Sequence, residues 1–337
     1  MYNLLKFFTI MAKICKPSEI APKSGMSILI YGQTGIGKTT LALGAPAPLL
    51  IDFENGVTRV HERLRTDTVQ VQNWCDVTGL TGQLAGYRSV VLDTYSRFLE
   101  SLEAYVVDQP KMAVVTAIQQ KDENGNVVGV TKAVKPSING YGTIKALRQQ
   151  FVKELTATGK NVIFIAQETE TTDEKTGDKT KRPATGSGKA TTELLQDLDA
   201  VGYMYMSTEG VVIDFTPNPA YYTKNADLGR IVIPRIIQDH NVTGQNNVMA
   251  SIIGKWIAIQ EASVQASAQY EALMQDIRGK IESIKNADDA NSVGAMLGDF
   301  AHMWDSKVQA RQLFADKVKA LGLTYNKEEK KYEQGNV

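Results

Sequence analysis

Short apolar runs recur along the first part of the chain, and each is rich in Val, Ile and Leu. They lie at residues 27–31, 48–52, 89–93 and 161–167. Runs of this length and composition are typical of strands that are buried on both faces of a sheet. Residues 68–73 alternate apolar with polar side chains, which predicts one further strand.

Helical periodicity occupies the intervals between these runs. A helix is predicted to begin at Lys38 and to end before Pro46, because proline cannot continue a helix. A second helix is indicated by apolar residues at spacings of three and four, namely Ile144, Leu147, Phe151 and Leu155. Strands that alternate with helices form parallel sheets with right-handed crossovers. We therefore expect an α/β fold with a largely parallel central sheet flanked by helices, extended by strands at 200–206, 211–215 and 230–233.

Two segments depart from this alternation. Residues 108–142 contain an Asn124-Gly125-Asn126 turn flanked by Val and Thr, which predicts a protruding β-hairpin. Residues 168–192 are polar and rich in Thr, with almost no large apolar side chain. Such a segment buries too little apolar surface to offset the entropy that is lost on ordering. We expect it to be a mobile loop.

The last quarter of the chain has a helical pattern. Three short amphipathic helices are predicted from the stripes Tyr270, Leu273, Ile277, Ile281 and Ile284, then Val293, Met296, Leu297, Phe300 and Trp304, and finally Leu313, Phe314, Val318 and Leu321. The expected organisation is an N-terminal segment (1–25), an α/β core (26–233), a C-terminal helical region (234–325) and a disordered tail (326–337).

The charges balance, because the chain has 37 Lys and Arg against 37 Asp and Glu. This balance gives no support to a nucleic-acid partner, although it leaves room for a local basic groove. Cys15 and Cys75 have no metal-binding spacing, so a reducing, cytoplasmic compartment is expected. The apolar residues 1–11 fall short of the roughly 20 that a membrane-spanning helix needs, so we expect no membrane partner.

A glycine-rich motif follows the first apolar run. Residues 32–39 match GxxxxGK[ST] between a predicted strand and a predicted helix. Glycines let backbone N–H groups turn towards phosphates, and the helix N-terminus adds partial positive charge. Lys38 is expected to contact the β and γ phosphates, and Thr39 to ligate magnesium. We therefore expect ATP and Mg²⁺ to bind here, with the nucleotide-binding residues Gly32, Gln33, Thr34, Gly35, Ile36, Gly37, Lys38, Thr39 and Thr40.

Polar residues close the neighbouring runs. Asp93 stands where a phosphate-loop enzyme holds its magnesium contact, with a simple turn aspartate as the alternative. Glu54 is expected to polarise an attacking water, with Asp52 as its competitor and a plain turn carboxylate as a third interpretation. Gln167 is expected to sense the γ-phosphate, unless it is merely a polar strand end. The predicted catalytic residues are Glu54, Lys38 and Gln167, and the predicted metal ligands are Thr39 and Asp93.

Basic residues of the polar segment are candidate contacts to nucleic-acid phosphates. They are Lys179, Lys181, Arg182 and Lys189. Acidic neighbours offset them, and the segment lacks aromatic side chains for base stacking, so an inert solvated loop is an equal alternative. Lys224 is either a contact to the nucleotide of a neighbouring subunit or an ordinary surface lysine.

With these motifs in place, the chain resembles the RecA-like P-loop ATPases, and among them the phage-encoded ATPases of single-strand annealing and recombination. The resemblance rests on the phosphate loop, LLIDFENG at 49–56, SVVLDT at 89–94, NGYG at 139–142 and NVIFIAQ at 161–167. It implies ATP-dependent assembly on single-stranded DNA, as rings or filaments with nucleotide sites at subunit interfaces. It also implies that Glu54 is the catalytic base, Gln167 the γ-phosphate sensor and 168–192 the DNA-contacting loop. A phage-encoded member would work in the host cytoplasm.

The leading hypothesis is an ATPase that acts on single-stranded DNA in phage-type recombination, annealing or repair. It is expected to be stimulated by DNA and to form homo-oligomers. The first alternative is a helicase or helicase-loader ATPase of DNA replication, whose C-terminal helices contact a replication or recombination partner protein. The second is a P-loop kinase of a small molecule, although Glu54 and Gln167 suit water activation better than an acceptor pocket. The third is a nucleotide switch or scaffold with negligible turnover.

Overall fold

The structure is a computed structural model that describes residues 14–172, 177–186 and 189–335, with residues 189–191 described by their backbone alone. Half of the predicted N-terminal segment therefore lies outside the described residues. The chain divides into two compact units. One is Lys23–Ile257, and the other combines Ala258–Val337 with Met1–Pro22.

The predicted strands and helices are present, in several cases with the expected bounds. The strands are β1 (Ser27–Gly32), β2 (Pro48–Asp52), β3 (Thr68–Gln70), β4 (Ser89–Asp93), β5 (Ala113–Lys121), β6 (Val127–Pro136), β7 (Asn161–Thr172), β8 (Lys179–Pro183), β9 (Ala200–Ser207), β10 (Gly210–Asp214), β11 (Arg230–Val232), β12 (Ile237–Gln238), β13 (Asn241–Val242), β14 (Leu323–Asn326) and β15 (Lys331–Gln334). The α-helices are α1 (Lys38–Ala42), α2 (Tyr95–Val107), α3 (Ile138–Ala157), α4 (Lys189–Asp197), α5 (Val248–Glu282), α6 (Ala287–Met296) and α7 (Ser306–Ala320).

The central sheet confirms the predicted α/β fold class. Its strand order is β11-β10-β9-β1-β7-β4-β2-β3, and β8 pairs with the end of β7. The strands from β9 to β3 along this order are parallel, whereas β10 and β11 are antiparallel to their neighbours. In register, Gly32 lies opposite Gln167 and Asp52 lies opposite Asp93. The carboxyl ends of four strands therefore bring the predicted site residues to one edge of the sheet.

Helices cover both faces of the sheet, which explains why its central strands are continuously apolar. Every residue of β1 and β4 is buried. One face packs on α2 and α3 through side chains that include Phe98, Leu102, Phe151 and Leu155. The other face packs on α1 and on the first turns of α5 through side chains that include Leu41, Ile252, Ile253 and Trp256. Each such side chain stabilises the fold by roughly 1.5–3 kcal/mol through removal from water.

The first turns of α5 correct the predicted end of the core at residue 233. Met249, Ile252, Ile253 and Trp256 are each at most 3% exposed and belong to the cluster beneath the sheet. The compact unit accordingly ends at Ile257. The predicted apolar stripe of this helix begins only at Tyr270 and therefore leaves out the part of α5 that completes the core.

The predicted hairpin in residues 108–142 is present as β5 and β6, joined by a turn at Asn124-Gly125. Both of its faces are largely exposed, and seven of its Val and Ile side chains are between 47% and 66% accessible. They are Val114, Val115, Ile118, Val127, Val128, Val130 and Val134. The hairpin is therefore a ribbon outside the core.

The segment 168–192 is not the mobile loop that its composition predicts, over the residues that are described. β7 continues to Thr172 and pairs with β8 in an antiparallel hairpin. Lys179 lies 2.8 Å from Glu170, and Lys181 lies 3.1 Å from Glu168, so charges pair across the two strands. Threonine, which is abundant here, also favours extended backbone. Cross-strand ion pairs and β-branched side chains thus order a segment that has little apolar surface.

The C-terminal unit contains the rest of α5, α6, α7 and the hairpin of β14 and β15. Its core includes Met274, Ile277, Ile281, Val293, Phe314 and Val318. Two expectations are wrong here. The first helix is one long helix of 35 residues, and the tail from residue 326 contains β15 instead of disorder over its described part. Tyr332 of β15 packs on Phe314 and Tyr325, with ring centroids 5.4 and 5.0 Å apart, which explains the ordering.

Membrane insertion finds no support in the helices of the described residues. None of them is both long enough and apolar enough to cross a bilayer.

Candidate nucleotide-binding site

The phosphate loop connects β1 to α1 with a backbone that only glycine adopts easily. Gly35 and Gly37 have φ angles of +81° and +98°, in the left-handed region. At Gly32, with φ +156°, a Cβ atom would lie 2.2 Å from the carbonyl oxygen of Met204. The loop therefore depends on glycine both for its turn and for its close approach to the neighbouring strand β9.

Lys38 is the first residue of α1 and is only 7% exposed. Its Nζ donates to the carbonyl oxygens of Gly32 and Gln33, at 2.9 and 2.8 Å. Burial lowers the pKa of the Lys38 ammonium, while the nearby carboxylates of Asp93 and Glu54 oppose that shift. The ammonium is thus held inside the loop, where a phosphate chain would replace or share its carbonyl partners.

Thr39 and Asp93 are joined by a short hydrogen bond beside the phosphate loop. The Thr39 hydroxyl donates to Oδ2 of Asp93 at 2.6 Å, and Asp93 is only 6% exposed. Burial raises the pKa of Asp93 to about 6; the hydrogen bond from Thr39 opposes this shift, and the charge of Glu54 adds to it. One hydroxyl and one carboxylate oxygen fit the way proteins hold Mg²⁺, which takes its remaining ligands from phosphates and water. The described residues contain no self-sufficient metal cluster.

Asp52 and Glu54 differ sharply in their surroundings. The Asp52 carboxylate is 1% exposed and accepts hydrogen bonds from the backbone N–H groups of Glu54, Gly56 and Val57 at 2.9 to 3.0 Å. Glu54 instead accepts from the Thr94 hydroxyl at 2.8 Å. Its side chain keeps 17% of its surface exposed. Asp52 therefore holds the turn, and Glu54 faces the phosphate loop.

Gln167 lies beside the phosphate loop, half-buried and opposite Gly32 in the sheet register. The next residue, Glu168, accepts hydrogen bonds from the Tyr203 hydroxyl at 2.8 Å and from Lys181 Nζ at 3.1 Å. The predicted phosphate sensor thus continues directly into the β7–β8 hairpin.

Three cavities meet around these residues. The first, of about 190 Å³, is lined by the phosphate loop together with Glu54, Asp93 and Gln167. A second, of about 640 Å³, shares Glu54, Arg59 and Gln167 with the first and extends to Trp74 and Arg97. A third, of about 600 Å³, shares Gly37 and Thr40 with the first and is mainly apolar, lined by Ile36, Leu41, Met204, Ile233 and Ile237 among others.

Arg59 and Thr94 belong to the site, although neither is among the site residues predicted from the sequence. Arg59 Nη1 lies 3.8 Å from Oε2 of Glu54, and its side chain lines the first two cavities. Thr94 directly follows the predicted aspartate in the motif SVVLDT, so its position is a usable signal. Arg59 gives no such signal, because its approach to Glu54 depends on the path of the turn after β2.

The predicted nucleic-acid contacts are only partly free to bind an anion. Lys179 and Lys181 are paired with Glu170 and Glu168. Arg182 lies 6.0 Å from the ring centre of Tyr222, and the side chain of Lys189 lies outside the described residues.

The side chain of Lys224 binds the end of helix α4. Its Nζ donates to the carbonyl oxygens of Gln196 at 2.8 Å and Leu195 at 3.2 Å, and also to that of Leu198. It therefore caps the C-terminal end of α4, where a cation is favoured.

Comparison with solved structures finds distant likenesses. The RadB recombinase is 16% identical, with 56% of this chain and 80% of that chain covered and a TM-score of 0.31. The flagellar accessory protein FlaH from Methanocaldococcus jannaschii is 10% identical, with 59% and 79% covered and a TM-score of 0.27. A KaiC-like protein from Pyrococcus horikoshii OT3 is 11% identical, with 58% and 78% covered and a TM-score of 0.28. No curated protein matches the chain in sequence.

Comparison with models of protein families gives a match. The model of the AAA domain family AAA_24 matches residues 24–226, which is more than half of the chain. The matched segment contains the phosphate loop, Glu54, Asp93 and Gln167. The chain belongs to the AAA_24 family of AAA domains and is a P-loop ATPase by fold.

Proposed function

We propose that the protein binds ATP with Mg²⁺, hydrolyses the γ-phosphate, and couples this cycle to single-stranded DNA in phage-type recombination, annealing or repair. The observation that carries the proposal is the arrangement of Lys38, Thr39, Asp93 and Glu54 around one cavity. A cation, a metal-ligating pair and a carboxylate are the parts that phosphoryl transfer to water requires.

Each of these residues has a separate task. Lys38 and the loop N–H groups bind the phosphate chain and stabilise the charge on it. Thr39 and Asp93 hold Mg²⁺, which supplies charge neutralisation at the β and γ phosphates when bound. Glu54, oriented by the Thr94 hydroxyl, positions the attacking water and accepts its proton.

The apolar cavity is the candidate site for the base of the nucleotide. It adjoins the phosphate loop through Gly37 and Thr40, and its other walls are mainly aliphatic, with a few polar and charged side chains among them. A flat purine base fits such a lining, since binding pockets combine apolar walls with a few polar groups. Asn246, whose Nδ2 donates to the carbonyl oxygen of Thr40 at 2.6 Å, anchors the segment that closes this cavity.

Two contacts support a link between the phosphate site and the β7–β8 hairpin. Gln167 is followed by Glu168, which holds Lys181. Tyr31 directly precedes Gly32, and its hydroxyl lies 2.7 Å from the carbonyl oxygen of Tyr222 and 3.1 Å from that of Lys181. In this proposal a change at Gln167 or in the phosphate loop moves the hairpin, and DNA bound on the hairpin acts back on the site.

Aromatic rings from elsewhere in the sequence compensate for the lack of aromatics in the hairpin itself. Tyr203 stacks on Tyr205 with ring centres 5.6 Å apart, and Tyr221 packs against both. Tyr205 and Tyr221 are half-buried; Arg230 Nε donates to the Tyr205 hydroxyl at 3.3 Å, and Arg182 lies over the ring of Tyr222. Half-exposed rings beside arginines form the kind of surface on which unpaired bases stack.

The deciding experiment is steady-state ATP hydrolysis with and without single-stranded DNA. Lys38→Ala is expected to abolish hydrolysis, while Lys153→Ala, an exposed lysine of α3, leaves it unchanged. DNA is expected to raise the rate several-fold. Hydrolysis that ignores DNA would retain the ATPase and remove the coupling to DNA, whereas equal activity in Lys38→Ala would remove both.

A second candidate function, transfer of the phosphate to a small acceptor molecule, is favoured by the 640 Å³ cavity beside Glu54 and Arg59. That volume exceeds what one attacking water needs. The ratio of inorganic phosphate to ADP discriminates the two functions. Water as the acceptor gives equal amounts, whereas a kinase in the presence of its acceptor forms ADP with a deficit of free phosphate.

A further inference from the structure

The C-terminal unit contains a cavity that the proposed ATPase does not use. It has a volume of about 630 Å³ and lies between α6, α7 and the β14–β15 hairpin. Small residues form much of its wall, namely Ala290, Gly294, Ala295, Gly298, Ala310 and Ala315. Gly294 is needed for this space, since a Cβ there would lie 3.2 Å from Cζ of Phe314.

Aromatic rings and a fixed framework give the cavity a stable shape. Tyr332 packs edge-on against Phe314 and Tyr325, and all three rings line the cavity. The Asn291 side chain accepts from the N–H of Tyr332 at 2.7 Å and donates to its carbonyl oxygen at 3.0 Å, which ties β15 to α6. His302 is likewise held, by the carbonyl oxygen of Leu297 at 2.9 Å.

Three cationic side chains line the cavity, and no carboxylate lines it with them in the described part of the chain. Lys307, Arg311 and Lys330 line it, and within the described part of the chain their side chains make no hydrogen bond or ion pair. The neighbouring Lys331, outside the lining, is instead paired with Glu329 at 2.8 Å and Glu333 at 3.7 Å. Among the described residues, no Asp or Glu lines the cavity.

We propose that this cavity binds an acidic peptide segment of a partner protein, with an apolar side chain in the cavity and carboxylates on its three cations. Arg and Lys form charge-assisted hydrogen bonds to carboxylates, and buried aromatic surface anchors an apolar side chain. A compact cavity favours a peptide over single-stranded nucleic acid, which binds along an extended groove that tracks its backbone. The site is independent of the proposed ATPase cycle.

The test is fluorescence anisotropy of the full chain with a labelled acidic peptide that ends in Leu-Phe. A matched peptide with Lys in place of each acidic residue is the control ligand. Saturable binding of the acidic peptide alone is expected, with a Kd of about 10–100 μM. Arg311→Glu and Lys330→Glu should each weaken binding about ten-fold, because a cation becomes a like charge. Tyr325→Ala should also weaken it, through loss of apolar contact.

Matched controls separate the site from general charge effects. Lys319→Glu, an exposed residue of α7 outside the cavity, should leave peptide affinity within about two-fold, as expected for a distant surface charge. ATP hydrolysis should be unchanged in Arg311→Glu. The proposal is overturned if no saturable peptide binding occurs, if Lys319→Glu weakens binding as much as Arg311→Glu, or if an oligothymidylate binds the cavity in place of the peptide and loses affinity in the same variants.

Discussion

Asp52 and Glu54 are two carboxylates two positions apart, and their hydrogen bonds give them different tasks. Three backbone N–H groups occupy Asp52, so its negative charge stabilises the turn after β2. Glu54 has one hydroxyl partner and faces two cavities. A strand-end pattern alone leaves both as candidates for the base, because the path of a turn is not encoded in the spacing of its acids.

Substitution of the two carboxylates should therefore have different effects, on stability for Asp52 and on hydrolysis for Glu54. Asp52→Ala leaves buried N–H groups unpaired and should lower the free energy of unfolding by about 1–3 kcal/mol. Glu54→Gln keeps the size of the side chain and should abolish hydrolysis while ATP binding and stability remain. Chemical denaturation, ATP hydrolysis and nucleotide binding, measured on both variants, test this. A stable, inactive Asp52→Ala beside a fully active Glu54→Gln would reverse the assignment.

The protonation of Asp93 should make both stability and nucleotide binding depend on pH. Burial raises its pKa from 3.8 to about 6. Because the folded-state pKa is the higher one, the native protein binds more protons than the unfolded chain between about pH 4 and 6. Without ligand, the free energy of unfolding contributed by this group therefore falls as pH rises through that window and stays lower above it. Ionised Asp93 is also the form that attracts Mg²⁺, so metal-dependent nucleotide binding should increase over the same range.

Asp93→Asn should separate these two consequences. Without nucleotide at about pH 8, the variant should be more stable than the native protein by about 1–3 kcal/mol, because that is the order of free energy that corresponds to the raised pKa of Asp93. It should also lose Mg²⁺-dependent hydrolysis. Thermal unfolding and activity are measured together, with the exposed Asp227→Asn as the control. A variant that is destabilised at pH 8 would show that burial is not the main influence on Asp93.

At the scale of elements, the alternation of apolar runs is enough to place β1, β2, β4 and β7, because strands covered on both faces must be continuously apolar. The pattern of apolar runs does not predict the β7–β8 hairpin. Its order comes from pairs such as Glu168 with Lys181 and Glu170 with Lys179, which lie 13 and 9 positions apart along the chain. Composition counts such residues as solvated, whereas cross-strand register makes them partners.

The C-terminal end of α4 is held by Lys224, for which the sequence left two interpretations open, a contact to a neighbouring nucleotide and an ordinary surface lysine. Lys224 binds the carbonyl oxygens at the end of α4, so Lys224→Ala should lower the free energy of unfolding by about 1–2 kcal/mol. Nucleotide affinity should be unchanged at protein concentrations where the chain is monomeric. Lys153→Ala is the control for removal of a surface charge. Unaltered stability together with weakened ATP binding in the oligomer would instead support a contact to a neighbouring nucleotide.

At the scale of the whole molecule, the ATPase unit is larger than its motifs. The motif region ends near residue 233, yet Met249, Ile252, Ile253 and Trp256 fill the face of the sheet beneath the phosphate loop. The hydrophobic pattern predicts α5 as a helix only from Tyr270 onwards, and it does not indicate that the first turns of the helix complete the core. Tertiary packing decides this, and so the boundary could not be read from the sequence.

Truncation tests this boundary. Four buried side chains at roughly 1.5–3 kcal/mol each amount to about 6–12 kcal/mol, which is comparable to the whole stability of a domain. A chain of residues 23–257 should therefore unfold cooperatively and bind an ATP analogue, whereas residues 23–233 should not fold. Asn246, which holds the carbonyl oxygen of Thr40, is lost in the shorter chain as well. Circular dichroism melts and nucleotide binding compare the two. Equal melting midpoints of the two chains would contradict this prediction. They would mean that the sheet folds without α5, and that α5 packs on the sheet only after folding.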